Sequence, residues 1–140
     1  MAWATCLLFV PFHKWLSLFP AGLITLIVLY LIDSTLILLN AFSYRYANPI
    51  LSDLPVLYWL SGFPEGMLLV YYFPKKKHLH FPYIVLAAVV FLGMELIMLL
   101  LKYISYHNWS PVFSLFLNMG GFIDVIFLSQ WIKNIQQKNP

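Results

Sequence analysis

Four stretches of this chain are apolar for about twenty residues each, and each carries one carboxylate near its middle. They run from Phe19 to Leu39, Leu54 to Phe73, Phe81 to Leu101 and Trp109 to Ile132. An α-helix rises about 1.5 Å per residue and the hydrocarbon core of a bilayer is about 30 Å thick, so each stretch is long enough to cross. The expected fold is all-α: a four-helix transmembrane bundle, with residues 1–140 forming a single integral membrane domain. Composition supports this. The chain is 62% hydrophobic and 9% charged, against about 25% charged in a soluble domain, which leaves too little polar surface for water. The net charge of +3 is not gathered on a soluble basic face, so nucleic acid is not an expected partner. The bilayer is. The single cysteine, Cys6, excludes an internal disulfide.

The segment from Met1 to Phe12 is apolar but lacks the charged leading region of a secretory signal. As a helix it would reach about 18 Å, short of a crossing. It is expected to be an interfacial or half-inserted segment, with Trp3, His13 and Trp15 as headgroup anchors. The second and fourth stretches are interrupted at mid-span by Ser61-Gly62-Phe63-Pro64-Glu65-Gly66 and by Asn118-Met119-Gly120-Gly121. Proline and glycine at those places predict kinked or broken helices.

Cations set the expected orientation. Lys14, Lys75, Lys76, Lys77, Lys133 and Lys138 fall at one end of the spans, and Arg45 and Lys102 at the other. The richer end is assigned to the cytoplasm, which puts the C-terminus there, and the N-terminus too if the first twelve residues do not cross.

The sequence also repeats with an offset of 62 residues. Phe19-Pro20 recurs as Phe81-Pro82, Val28 as Val90, Leu38-Leu39 as Leu100-Leu101 and Ser43-Tyr44 as Ser105-Tyr106. Pro49 recurs as Pro111 and Ser52 as Ser114, and Asp33 falls on Glu95. Shared aliphatics prove little in membrane helices, but Phe-Pro, Ser-Tyr, Pro and Ser are not aliphatic. The bundle is therefore read as two tandem helical hairpins in the same orientation, repeated about the membrane normal.

The acids carry the functional question. Asp33, Glu65, Glu95 and Asp124 lie within the four spans, and only Asp53 lies in a loop. One charged acid at the bilayer centre costs about 2.5 to 3.5 kcal/mol, so four would cost on the order of 10. No Lys or Arg lies at comparable depth to pair with them. Either most of these acids carry a proton at neutral pH, or a cation from outside shares their site, and both solutions turn them inward. Helical spacing adds Asn40 seven residues after Asp33 and Lys102 seven after Glu95 as supporting polar groups, with Tyr58 and Tyr72 beside Glu65 and with Asn118 on the fourth span.

Other chemistry is thin. His78 and His80 flank Leu79 beside the lysine run, and no Glu-x-x-His pair is present to support a di-metal bundle. There is no phosphate-binding glycine loop and no nucleophile elbow. Ser105 and His107 on one loop are the only pair resembling a nucleophile and base. No metal, cofactor or catalytic residue is assigned.

Several short motifs together resemble an uncharacterised family of small multi-helix membrane proteins from spore-forming Firmicutes. They are Lys14-Trp15 with Phe19-Pro20, Asp33, Tyr71 to Pro74, Glu95, and Tyr106-His107-Asn108-Trp109-Ser110 followed by Asn118. The resemblance implies a multi-pass architecture in a bacterial cell membrane and supplies no activity. Glu65 has no counterpart in that pattern, which ranks it below Asp33 and Glu95. Two readings follow. One is transport or sensing of a proton or small cation through the four acids, in a homodimer because four helices enclose little volume. The other is a non-catalytic subunit of a larger membrane complex, in which the buried acids are interhelical hydrogen-bonding glue.

Overall fold

The computed structural model describes residues 2–45 and 53–138, so Pro49 and Ser52 of the repeat lie outside the described residues. The chain is helical with one short ribbon. A short helix, α1 (Ala2–Phe9), precedes α2 (Phe12–Leu38), strand β1 (Phe42–Tyr44) and α3 (Val56–Tyr71). After a single 3₁₀ turn come α4 (His80–Leu100), strand β2 (Ile104–Tyr106) and α5 (Pro111–Lys138).

Three helices are long and apolar enough to cross a membrane: Phe12–Leu38, Lys77–Leu100 and Pro111–Ile135. The fourth expected span is the exception. Its helix α3 has 16 residues, about 24 Å of rise against a core of about 30 Å. Prolines bound it. Pro55 is its N-cap in an extended conformation, and Pro74 disfavours helix at the residue before it. The glycines and proline inside do not break it: α3 is continuous through Gly62, Pro64 and Gly66, and α5 is continuous through Gly120 and Gly121. A proline's lost backbone bond is one among many when both ends of the helix are held by packing.

Small residues draw α2 and α3 together. Ala21 and Thr25 on α2 are buried against Gly62 and Gly66 on α3, and Gly22 against the Phe63 ring. A Cβ on Gly66 would lie 2.7 Å from Thr25 Cβ and 2.9 Å from the Ala21 carbonyl oxygen, so glycine is required there. Further along the same face of α2, Val28 and Ile32 lie against Gly121 of α5. A core of Ile24, Leu69, Ile84, Val125 and Ile126 joins α2, α3, α4 and α5.

Segment α1 packs along α3 instead of lying across the end of the bundle. Cys6 and Val10, four residues apart, bury one face against Leu18 and Met67. Trp3 stacks on Phe63 at 5.9 Å, and the Tyr72 hydroxyl donates to the Phe9 carbonyl at 3.4 Å.

The ribbon closes one end. Ser43 pairs with Ser105 at its centre, flanked by Phe42 with Tyr106 and Tyr44 with Ile104. Below it Phe42, Tyr44, Leu54 and Ile104 form an aromatic-rich core with Tyr58 and Trp109 at its edge. Both helices leading into the ribbon end alike. Ala41 N–H bonds to Leu36 and Asn40 N–H to Ile37, while Tyr103 N–H bonds to Met98 and Lys102 N–H to Leu99. At the opposite end the Lys14 ammonium lies 5.6 Å over the Tyr71 ring. The outer surface is apolar. Leu16, Leu31, Leu86, Phe116 and Phe127 are all more than half exposed, an exposed belt far larger than a water-soluble monomer carries.

Candidate functional site

A cavity of about 740 Å³ lies among α3, α4 and α5 and runs from Tyr72 and Tyr83 to the ribbon at Phe42 and Ile104. Within that lining Tyr83 on α4 donates to the Leu69 carbonyl on α3 at 2.9 Å. Three of the four mid-span acids line it: Asp33, Glu65 and Glu95. Tyr58, Tyr72 and Asn118 line it as well. Among the described residues, no Lys, Arg or His lines it. A smaller space of about 60 Å³ shares Asp33, Tyr58, Glu65 and Asn118 and lies against Thr25 and Gly66 on the α2–α3 seam.

Each of the three acids is held by a hydroxyl. The ribbon supplies two of the donors. Tyr44 of β1 donates to Asp33 Oδ2 at 3.3 Å, and Tyr106 of β2 donates to Glu95 Oε1 at 2.5 Å. Ser114 at the start of α5 also donates to Glu95 Oε1, at 2.7 Å, and accepts from Trp109 Nε1 at 2.7 Å. Glu65 receives Ser61 from one turn earlier on its own helix, at 3.0 Å. Burial pushes the Tyr44 phenol well above its ordinary range. Burial, and then the bond to Glu95, pushes Tyr106 up to about 12. Both hydroxyls therefore keep their protons at any physiological pH and remain donors.

Asp124 is not part of this arrangement. It is exposed on the outer face of α5, nearly opposite Phe122, which lines the cavity. Asn40 and Lys102 are also elsewhere. The helices end at Leu38 and Leu100, and both residues sit just beyond, exposed, with left-handed φ of 55° and 60°. Seven-residue spacing fails there because the chain has already left the helix. His107 bonds through Nε2 to Ser43 Oγ at 2.9 Å, across the ribbon, and not to Ser105. Among the described residues no three His, Cys, Asp or Glu side chains gather closely enough to hold a metal ion.

The residues that helical spacing missed are Tyr44, Tyr106 and Ser114. The sequence did mark them: each tyrosine follows its acid by 11 positions, and all three fall on the 62-residue repeat. The arrangement holds three carboxyls in one apolar, aromatic-lined space with hydroxyl donors and, among the described residues, no Lys, Arg or His. Such a space can accept protons on its acids or admit a cation, with the ring faces of Phe42, Phe91 and Trp109 adding a weak attraction for positive charge. Comparisons of the chain with protein-family models, with curated proteins and with solved structures return no match.

Proposed function

We propose that this chain is an integral membrane protein that transports or senses a proton or small cation through Asp33, Glu95 and Glu65. One observation carries the reading: three carboxyls share a cavity of about 740 Å³ in whose lining, among the described residues, there is no Lys, Arg or His. Two ionised carboxylates facing one such space repel each other, and among the described residues no Lys, Arg or His in the lining offsets that. A proton or an external cation does.

Access to the cavity from the lipid side, between α3 and α4, is part of the proposal. In it α3 completes a fourth crossing, because it runs from the ribbon core at Leu54 to the lysine end at Tyr71. Segment α1, packed along the same half of α3, shields its short length. The lysine-rich end faces the cytoplasm and both chain termini lie on that side.

We also propose that the two hairpins are repeats about an axis along the membrane normal. The ribbon register supports this, since a two-fold through the Ser43–Ser105 pair exchanges Phe42 with Ile104 and Tyr44 with Tyr106. So do the matched helix ends, the matched left-handed Asn40 and Lys102, and the matched Tyr–acid bonds. Under that symmetry Asp33 and Glu95 are equivalent sites.

The test is proton-coupled cation flux in liposomes for the wild type and for Asp33→Asn with Glu95→Gln. Loss of flux in the double variant is expected, and flux equal to wild type would remove the transport reading. A second reading, structural glue in a membrane subunit, draws on the two hydroxyls that converge on Glu95. It predicts that neutralising the acids changes assembly with a partner and leaves any flux unchanged.

A further inference from the structure

Asp124 is the acid that the cavity leaves unexplained. It lies near the middle of the Pro111–Ile135 span, about 20 Å along α5 from Pro111. It is exposed, and among the described residues no hydrogen bond or ion pair reaches it. One turn earlier Gly120 is exposed too, and a Cβ there would meet nothing within 4 Å. Phe116, Ile123, Phe127 and Trp131 flank the two residues and are at least half exposed.

In hydrocarbon an unpartnered carboxyl has no water to bond with, so it must find a polar group on another molecule. A neutral carboxylic acid is both donor and acceptor, which makes a second carboxylic acid its complement. A two-fold interface brings a residue near its axis against its own copy. Gly120 at the same surface lets two helix axes approach closely enough for short aspartate side chains to meet. An acid that is its own complement, beside a glycine that removes the obstacle to close approach, matches a second copy of this chain.

We propose that α5 is the contact face of a parallel homodimer, with Asp124 bonded to Asp124 of the second copy beside a Gly120–Gly120 crossing. The contact faces away from Phe122 and leaves the α3–α4 opening uncovered. It depends on the bilayer location and not on cation handling.

The test uses full-length protein in liposomes, with dimer fraction read by single-molecule photobleaching as protein is diluted in lipid. Wild type should pass from dimer to monomer on dilution. Asp124→Ala and Gly120→Ile should each weaken the dimer about five- to tenfold, and Asp124→Asn, which keeps a donor and an acceptor, should retain most of it. Neither position is packed within its own chain, so both variants should fold, and unchanged helical circular dichroism checks that. In a Cys6→Ser background, Phe127→Cys should cross-link between copies and Val89→Cys on the exposed face of α4 should not. A wild type that is monomeric at every dilution overturns the proposal. So does a dimer whose stability Asp124→Ala leaves unchanged, or cross-linking through Val89→Cys in place of Phe127→Cys.

Discussion

Replacing Gly66 by alanine adds one methyl group at the tightest point between α2 and α3. The new Cβ would stand 2.7 Å from Thr25 Cβ and 2.9 Å from the Ala21 carbonyl oxygen, inside van der Waals contact with both. Rotating Thr25 does not remove either contact, and it breaks the Thr25 hydroxyl bond to the Ala21 carbonyl at 2.8 Å. The helices must separate. Overpacking of this kind costs about 1 to 3 kcal/mol, and contact with backbone places it near the upper figure. Alanine regains about 1 kcal/mol of helix propensity. The expected net loss is about 2 kcal/mol. It is measured by denaturant unfolding in detergent micelles, with Gly93→Ala as control because a Cβ there meets nothing within 4 Å. That control should be neutral or slightly stabilising. Combining Gly66→Ala with Thr25→Ala should recover only part of the loss, because Thr25 Cβ and the Ala21 carbonyl stay in place. A Gly66→Ala protein as stable as wild type would refute the close α2–α3 seam.

Three further outcomes follow from the ribbon end. Lys102 holds a left-handed φ of 60° that favours glycine, so Lys102→Gly should stabilise by about 1 kcal/mol in the same unfolding assay. Ser114→Ala removes the acceptor of Trp109 Nε1 and a donor to Glu95, and should cost about 1 to 3 kcal/mol, with a shift in tryptophan fluorescence. Tyr106 is raised to about 12 in the folded chain against an ordinary value of 10, so the fold binds its proton more tightly than the unfolded chain does. Its contribution to stability is whole below about pH 10 and is lost as pH rises to about 12. Ultraviolet titration should show that step, and Tyr106→Phe should remove it.

Much of the fold was legible because a bilayer-length apolar run admits few structures. The span at α4 is close to its expected limits, whereas α2 begins seven residues before Phe19 and α5 runs six residues beyond Ile132. The second was overestimated because hydropathy does not register that Pro55 and Pro74 confine α3 to 16 residues. The acids were found by depth, but depth does not give direction. In a soluble helix polar residues mark the outer face, whereas here both faces are apolar and the pattern carries little information. That is why Asp124 was grouped with three acids it does not join. The ribbon escaped notice because Phe42–Tyr44 and Ile104–Tyr106 are three-residue strands, too short for alternation to stand out. Asn40 and Lys102 were extrapolated along helices that stop two residues earlier, with no glycine to mark the turn.

The cavity acids take up a proton or a small cation, and infrared spectroscopy of reconstituted protein reads the competition between the two directly. At fixed pH, adding a small cation should diminish the carbonyl stretch of neutral carboxyl groups and raise the carboxylate bands. Asp33→Asn and Glu95→Gln should each remove part of that difference, and Asp124→Asn should not. A neutral-carboxyl band that stays constant across all cation concentrations and across pH would contradict the account and leave the acids as fixed interhelical bonds.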